Sequence, residues 1–170
     1  VDDYAAYQGT SMATPHVAGL CALIIQAMGV DWTHSEADVL KVKNFLCGTA
    51  TEVGFGETLG SDTNAPTFDR GDADLVEGFG KVHGDAAIEA FLTEYVAGST
   101  ATDTLSSSPT GKQSWARRVE LVEGIIFEAG IEMDGSADFD LSLYDPSVDM
   151  TSYLGFLAKS TTVGAGQPEN

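Results

Sequence analysis

The feature that most constrains this chain is a run of twenty-three residues, 8–30, with no Asp, Glu, Lys or Arg. Within it Met12, Val17, Ala18, Leu20, Cys21, Leu23, Ile24, Ile25, Ala27 and Met28 surround a helix instead of lining one face. A helix that is apolar all round belongs in a core or a membrane. Length alone allows a span, since about 20 such residues cross a bilayer. Pro15, His16, Gly19 and Gln26 interrupt the run and no basic residues flank it, so a buried helix of a globular domain is expected and membrane insertion is not. Pro15 suits a first turn and breaks an interior, which puts the helix start near Ser11. A serine there has its own N–H unpaired at the positive end of the helix dipole. That placement favours an anion close to the hydroxyl. The plain alternative is that Thr10 or Ser11 serves only as an N-cap.

The rest of the chain reads as further helices followed by strands. Ser35 with Asp38 three residues on resembles a capping box, opening a helix with Val39, Leu40, Val42, Phe45 and Leu46 that stops before Gly48. Residues 48–80 read as a Gly- and Asp-rich loop, long for a compact domain, with a short apolar patch at 79–82. His83 or Asp85 caps a third helix carrying Ala86, Ala87, Ile88, Ala90, Phe91 and Leu92. Residues 97–112 form a Ser/Thr/Gly linker. Beyond it the period becomes two, at 115–122, 127–133 and 138–144, with a further strand near 153–159. Turn signals between these runs indicate an antiparallel β-sandwich, too thin at four strands to be whole.

Charge excludes some partners. Twenty-six Asp and Glu against eight Lys and Arg give a net charge of -18. Such a surface repels nucleic acid and anionic membranes and stays hydrated in concentrated salt. Asp69, Asp72 and Asp74, or Asp138 and Asp140, could offer oxygens to calcium, although neither group fits an EF-hand loop and no cofactor is required. Cys21 and Cys47 make no disulfide framework and read as free, buried thiols. The chain opens mid-pattern at Val1-Asp2-Asp3, as an internal piece of a longer protein would.

The eleven residues Gly9-Thr10-Ser11-Met12-Ala13-Thr14-Pro15-His16-Val17-Ala18-Gly19 resemble the nucleophile motif of the subtilisin-like serine peptidases, the subtilases. Gly78-Phe79-Gly80-Lys81-Val82 followed by Asp85-Ala86-Ala87 is similar to the segment that closes their catalytic domain. The resemblance implies an α/β fold: residues 1–96 as the C-terminal portion of a parallel-sheet domain, then a sandwich over 113–170. It implies that Ser11 is the acylated nucleophile and an oxyanion donor, with Gly9 and Thr10 beside the substrate backbone. Polypeptides are the implied substrates. The family's triad runs Asp, His, Ser, so the first two members and the rest of the oxyanion hole belong to a missing N-terminal part of the same domain. The 170 residues alone are then expected to be inactive. His16 is no substitute, because five residues turn a helix through about 500° and point it away from Ser11.

The acidity resembles that of halophilic archaeal subtilases. Residues 135–146, Gly-Ser-Ala-Asp-Phe-Asp-Leu-Ser-Leu-Tyr-Asp-Pro, resemble part of the pre-peptidase C-terminal domain of secreted peptidases, which implies secretion. Two rival readings stand. One is a non-catalytic surface or binding protein on the same scaffold. The other is a serine esterase, disfavoured because Ala13 stands where the α/β-hydrolase elbow needs glycine.

Overall fold

The computed structural model describes residues 5–51, 78–96, 98–106, 111–131, 141–148 and 156–160. Helix α1 runs Thr10–Met28 and closes through a 3₁₀ turn at Gly29–Asp31. Helix α2 is Glu36–Gly48 and α3 is Gly84–Leu92. Strands β1, Leu141–Tyr144, and β2, Phe156–Ser160, pair antiparallel.

Each helix start has a different cause. Gly9 is the N-cap of α1, with φ 132° and ψ 175° and no side-chain cap, so neither Thr10 nor Ser11 is spent as a cap. Few residues other than glycine adopt that backbone. The chain leaves α1 at Gly29, φ 54°, whose N–H donates to the Ile25 carbonyl. Helix α2 carries the capping box expected from Ser35 and Asp38, with both reciprocal bonds formed. Thr33 N–H and Oγ1 also donate to Asp38 Oδ2, at 2.8 and 2.6 Å. These bonds, that of the Thr33 side chain foremost, outweigh burial and hold the Asp38 carboxyl far below the usual carboxylate range. At α3 the N-cap is His83, which makes no side-chain cap bond, and Asp85 lies in the first turn.

Pro15 lies inside α1, half a turn deeper than a first-turn position. It has no N–H, so the Ser11 carbonyl loses its helical donor. Side chains reinforce the neighbouring positions. Thr14 Oγ1 donates to the Thr10 carbonyl at 2.8 Å, and His16 Nδ1 bonds the Met12 carbonyl at 2.7 Å.

The core is where α2 and α3 meet the C-terminal half of α1. Ile24, Met28, Val42, Leu46 and Ala87 are buried there, and Phe45 and Phe91 meet edge to face at 5.9 Å. Ile24 is fully inaccessible. At Gly84 the two helices approach so closely that a Cβ would stand 2.5 Å from Leu20 Cδ2. The ends of the 52–80 stretch are joined by an antiparallel bridge, Thr51 N to Lys81 O at 2.9 Å and Lys81 N to Thr51 O at 2.8 Å.

Three expectations need correction. First, α1 is not buried all round: of its residues only Ile24 and Met28 are, because α2 and α3 cover one side of one half of it. By length and composition Thr10–Asp31 would also suffice to cross a membrane. Second, the alternating runs expected at 115–122 and 127–133 form no extended strand among the described residues: Arg118 makes a parallel bridge to Glu94, Ile131 holds a single bridge position, and 132–133 lie outside the described residues. Alternation marks two faces but supplies no partner strand, and Leu121, Val122, Ile125 and Ile126 are exposed. Third, Cys21 and Cys47 are free but only half-buried.

The later strand expectations fare better. Leu141–Tyr144 falls within its predicted run and Phe156–Ser160 overlaps its own, ending one residue beyond it, with an irregularity between Leu143 and Tyr144 that leaves Leu157 unpaired and half exposed. A single extra residue of this kind is a β-bulge. The parallel sheet and the full sandwich are not present among the described residues. Asp69, Asp72, Asp74, Asp138 and Asp140, the carboxylates considered for calcium, lie outside them.

Candidate active site

The N-terminus of α1 brings Gly9, Thr10 and Ser11 together on an exposed corner. The Gly9 carbonyl accepts from Met12 N at 3.0 Å and from Ala13 N at 3.1 Å. The helical ladder therefore gives no acceptor to the N–H of Thr10 or Ser11. Nothing lies within 4 Å of the position a Gly9 Cβ would take, so the approach to Ser11 is open on that side. The first turn holds no acidic side chain, which leaves the positive end of the helix dipole uncompensated by the helix's own residues. An exposed hydroxyl with two outward N–H groups behind it can hold an oxyanion formed at that spot.

A base is the missing part. Among the described residues no histidine or carboxylate hydrogen-bonds to Ser11. His16 is tied to its own helix: a carbonyl only accepts, so its Nδ1 carries the proton in the bond to Met12. It is hydrogen-bonded, as a helix histidine would be, but exposed instead of packed. His34 takes the left-handed conformation, φ 64°, edge-on to Trp32 at 5.6 Å. His83, the N-cap of α3, is buried.

An apolar groove of about 480 Å³ opens between α1, α2 and residues 79–82, lined by Cys21, Ile25, Trp32, Leu46, Cys47 and Phe79 among others. Ser11 is not among its lining residues. Sequence reasoning gave no role to Asn44, which is buried on α2 and bonds two carbonyls of the C-terminal segment. The available signal was a polar residue flanked by Val42, Phe45 and Leu46, where an apolar side chain is ordinary.

Comparison with known proteins gives a consistent family signal over the first half of the chain. The profile of the subtilase family matches residues 2–80. Alkaline elastase YaB of Bacillus sp. (strain YaB) is 43% identical over 58 residues, covering 34% of this chain and 14% of that protein. Subtilisin Savinase of Lederbergia lenta is 43% identical over 58 residues, 34% of this chain and 19% of the relative. Subtilisin of Bacillus pumilus is 49% identical over 51 residues, 30% and 16% respectively. The chain thus spans less than a fifth of the length of these curated relatives. No solved structure matches it. In its N-terminal half, residues 2–80, this chain is similar to the subtilase family of peptidases.

Proposed function

We propose that this chain is part of a serine endopeptidase of the subtilisin type, with Ser11 as its nucleophile. The observation that carries the reading is the placement of the eleven-residue motif: Ser11 stands exposed in the first turn of α1, with Gly9 as cap and the Ser11 N–H outside the helical ladder. In the reaction, Ser11 Oγ attacks the scissile carbonyl while its proton passes to a base. The oxyanion accepts from the Ser11 N–H and a second donor. The amine leaves with the proton, and water releases the acyl group by the same steps in reverse order. Gly9 and Thr10 border the substrate backbone. The Asp, the His and the second oxyanion donor come from an upstream part of the same catalytic domain, which also covers the exposed faces of α1. That makes α1 a core helix of a soluble domain and leaves residues 1–170 inactive alone.

Polypeptides are the substrates, and neither nucleic acid nor a membrane is a partner. The -18 charge suits a secreted enzyme working in concentrated salt. Residues 113–170 are a partial sandwich of the pre-peptidase C-terminal kind, joined through 97–112 to the catalytic portion, 1–96. Calcium is an optional ligand and no other cofactor is needed.

The second reading, a binding protein on a subtilase-like scaffold, draws on the absence of a base beside Ser11 among the described residues. A fluorophosphonate probe separates the two. The protein expressed with its upstream region should be labelled, Ser11→Ala should not, and residues 1–170 should neither be labelled nor cleave peptides. A folded, longer protein that resists the probe favours the binding reading.

A further inference from the structure

Two independent sets of contacts tie the C-terminal part of the chain to the helices. The first centres on Asn44 of α2, only 3% exposed. Its Nδ2 donates to the carbonyls of Pro146, at 2.9 Å, and Val148, at 2.6 Å. Both acceptors belong to one turn, which is shaped from within. Asp145 Oδ1 accepts from Ser147 N at 2.8 Å and from Ser147 Oγ at 2.6 Å, and Val148 N donates to the Asp145 carbonyl at 3.3 Å. The turn follows directly on β1, so whatever holds the turn holds the β1–β2 pair.

The second set centres on Glu89 of α3. Its Oε2 meets Lys112 Nζ and Arg117 Nη1, each at 2.9 Å, and Lys112 also reaches Asp103 at 2.6 Å. Arg117 lies over the Trp115 ring, 4.8 Å from its centroid. Main-chain bonds finish the attachment: Arg118 N donates to Thr93 O at 3.1 Å and Tyr95 N to Arg118 O at 2.7 Å. Three of the chain's eight cationic side chains thus stand within 112–118, beside Glu89, Glu94 and Asp103. In a chain of twenty-six acids, such a grouping places scarce positive charge where it can act over short, partly buried distances.

We infer that α2 and α3 carry a receptor surface for the C-terminal segment of this same chain. Asn44 holds the carbonyl pair of the 145–148 turn, and Glu89 holds Lys112 and Arg117. The β1–β2 pair is then fastened to α2 through the turn that follows β1, and the 112–118 segment ahead of it is fastened separately to α3. The chemistry at Asn44 argues for this role. A buried amide costs stability unless its hydrogens find acceptors, and an apolar residue would serve α2 alone better. The Asn44 amide nitrogen keeps these two acceptors only while the turn stays in place. This inference does not depend on whether Ser11 acts as a nucleophile.

Amide hydrogen exchange on the full 170-residue chain tests it, with protection of 156–160 as the readout. Asn44→Leu and Asp145→Ala should each speed exchange there at least tenfold while α1 around Ile24 keeps its protection. The double variant should lose no more than either single one, because each breaks the same attachment. Glu89→Gln should speed exchange over 112–118 by a similar factor. Additive effects at 156–160, or no effect from either single variant, overturn the inference. Where Asn44→Leu fails to fold, Asn44→Ser replaces it in the same cycle.

Discussion

Replacing Gly84 by alanine tests how closely α1 and α3 are packed. Gly84 is the first residue of α3, and an alanine Cβ there would lie 2.5 Å from Leu20 Cδ2, 3.7 Å from Cγ and 3.8 Å from Cδ1. Carbon atoms rest at about 3.5–4.0 Å, so one methyl collides by about 1 Å and the other two atoms do not. Leu20 can yield by rotating, at about 0.5–1.5 kcal/mol for an off-rotamer side chain. Its neighbours add to that, since overpacking a core costs about 1–3 kcal/mol. Against this stands the gain of alanine over glycine, about 0.5–1 kcal/mol in a helix interior and less at its first position. The balance is a loss of about 1–3 kcal/mol. The assay is urea unfolding followed by far-UV circular dichroism, repeated in a Leu20→Ala background. There the collision is gone, and Gly84→Ala should be neutral or slightly stabilising. If Gly84→Ala costs the same in both backgrounds, the close approach of Leu20 is not what requires glycine.

Two further outcomes are expected from the same helices. Ile24→Ala empties a fully inaccessible position between α1 and the other two helices, and should cost about 3 kcal/mol by denaturant unfolding; a loss below 1 kcal/mol would mean that the core is centred elsewhere. Asp38 has its carboxyl held below the ordinary range, first by the Thr33 side chain, so its charge stabilises the folded chain above the ordinary aspartate range and the contribution falls away as pH drops through and below it. The stability gap between the wild type and Asp38→Asn should therefore narrow between pH 7 and pH 2, and a gap independent of pH would contradict the capping geometry.

What the sequence made legible was local. The uncharged run, the Ser35–Asp38 pair and the alanine-rich run at 86–90 each contain the cause of a helix within a few residues, and each helix lies where expected, to within a residue or two. The helix starts at Thr10, one residue before the expected Ser11, because Pro15 lies deeper than the first turn. Burial of α1 was not legible, since apolar residues state a need for cover without stating what is present to meet it. The 115–122 strand failed for a related reason: Leu121 and Val122 have strand-like chemistry, are exposed, and have no strand beside them among the described residues. Asn44 depends on carbonyls more than a hundred positions away, beyond any local pattern. At the site, the motif points to Ser11, and the structure places it exposed in the first turn of α1, but nothing in the sequence places a base near it.

Pro15 has a mechanical consequence for that site. It removes one rung from α1 between the end that bears Ser11 and the end anchored by Ile24 and Met28. A missing rung is where helices bend. Thr14 and His16 splint the gap with side-chain bonds on either side, which resist fraying better than they resist a small change of angle. Bending of α1, if it meets a load, is therefore easiest at this missing rung, four residues from Ser11.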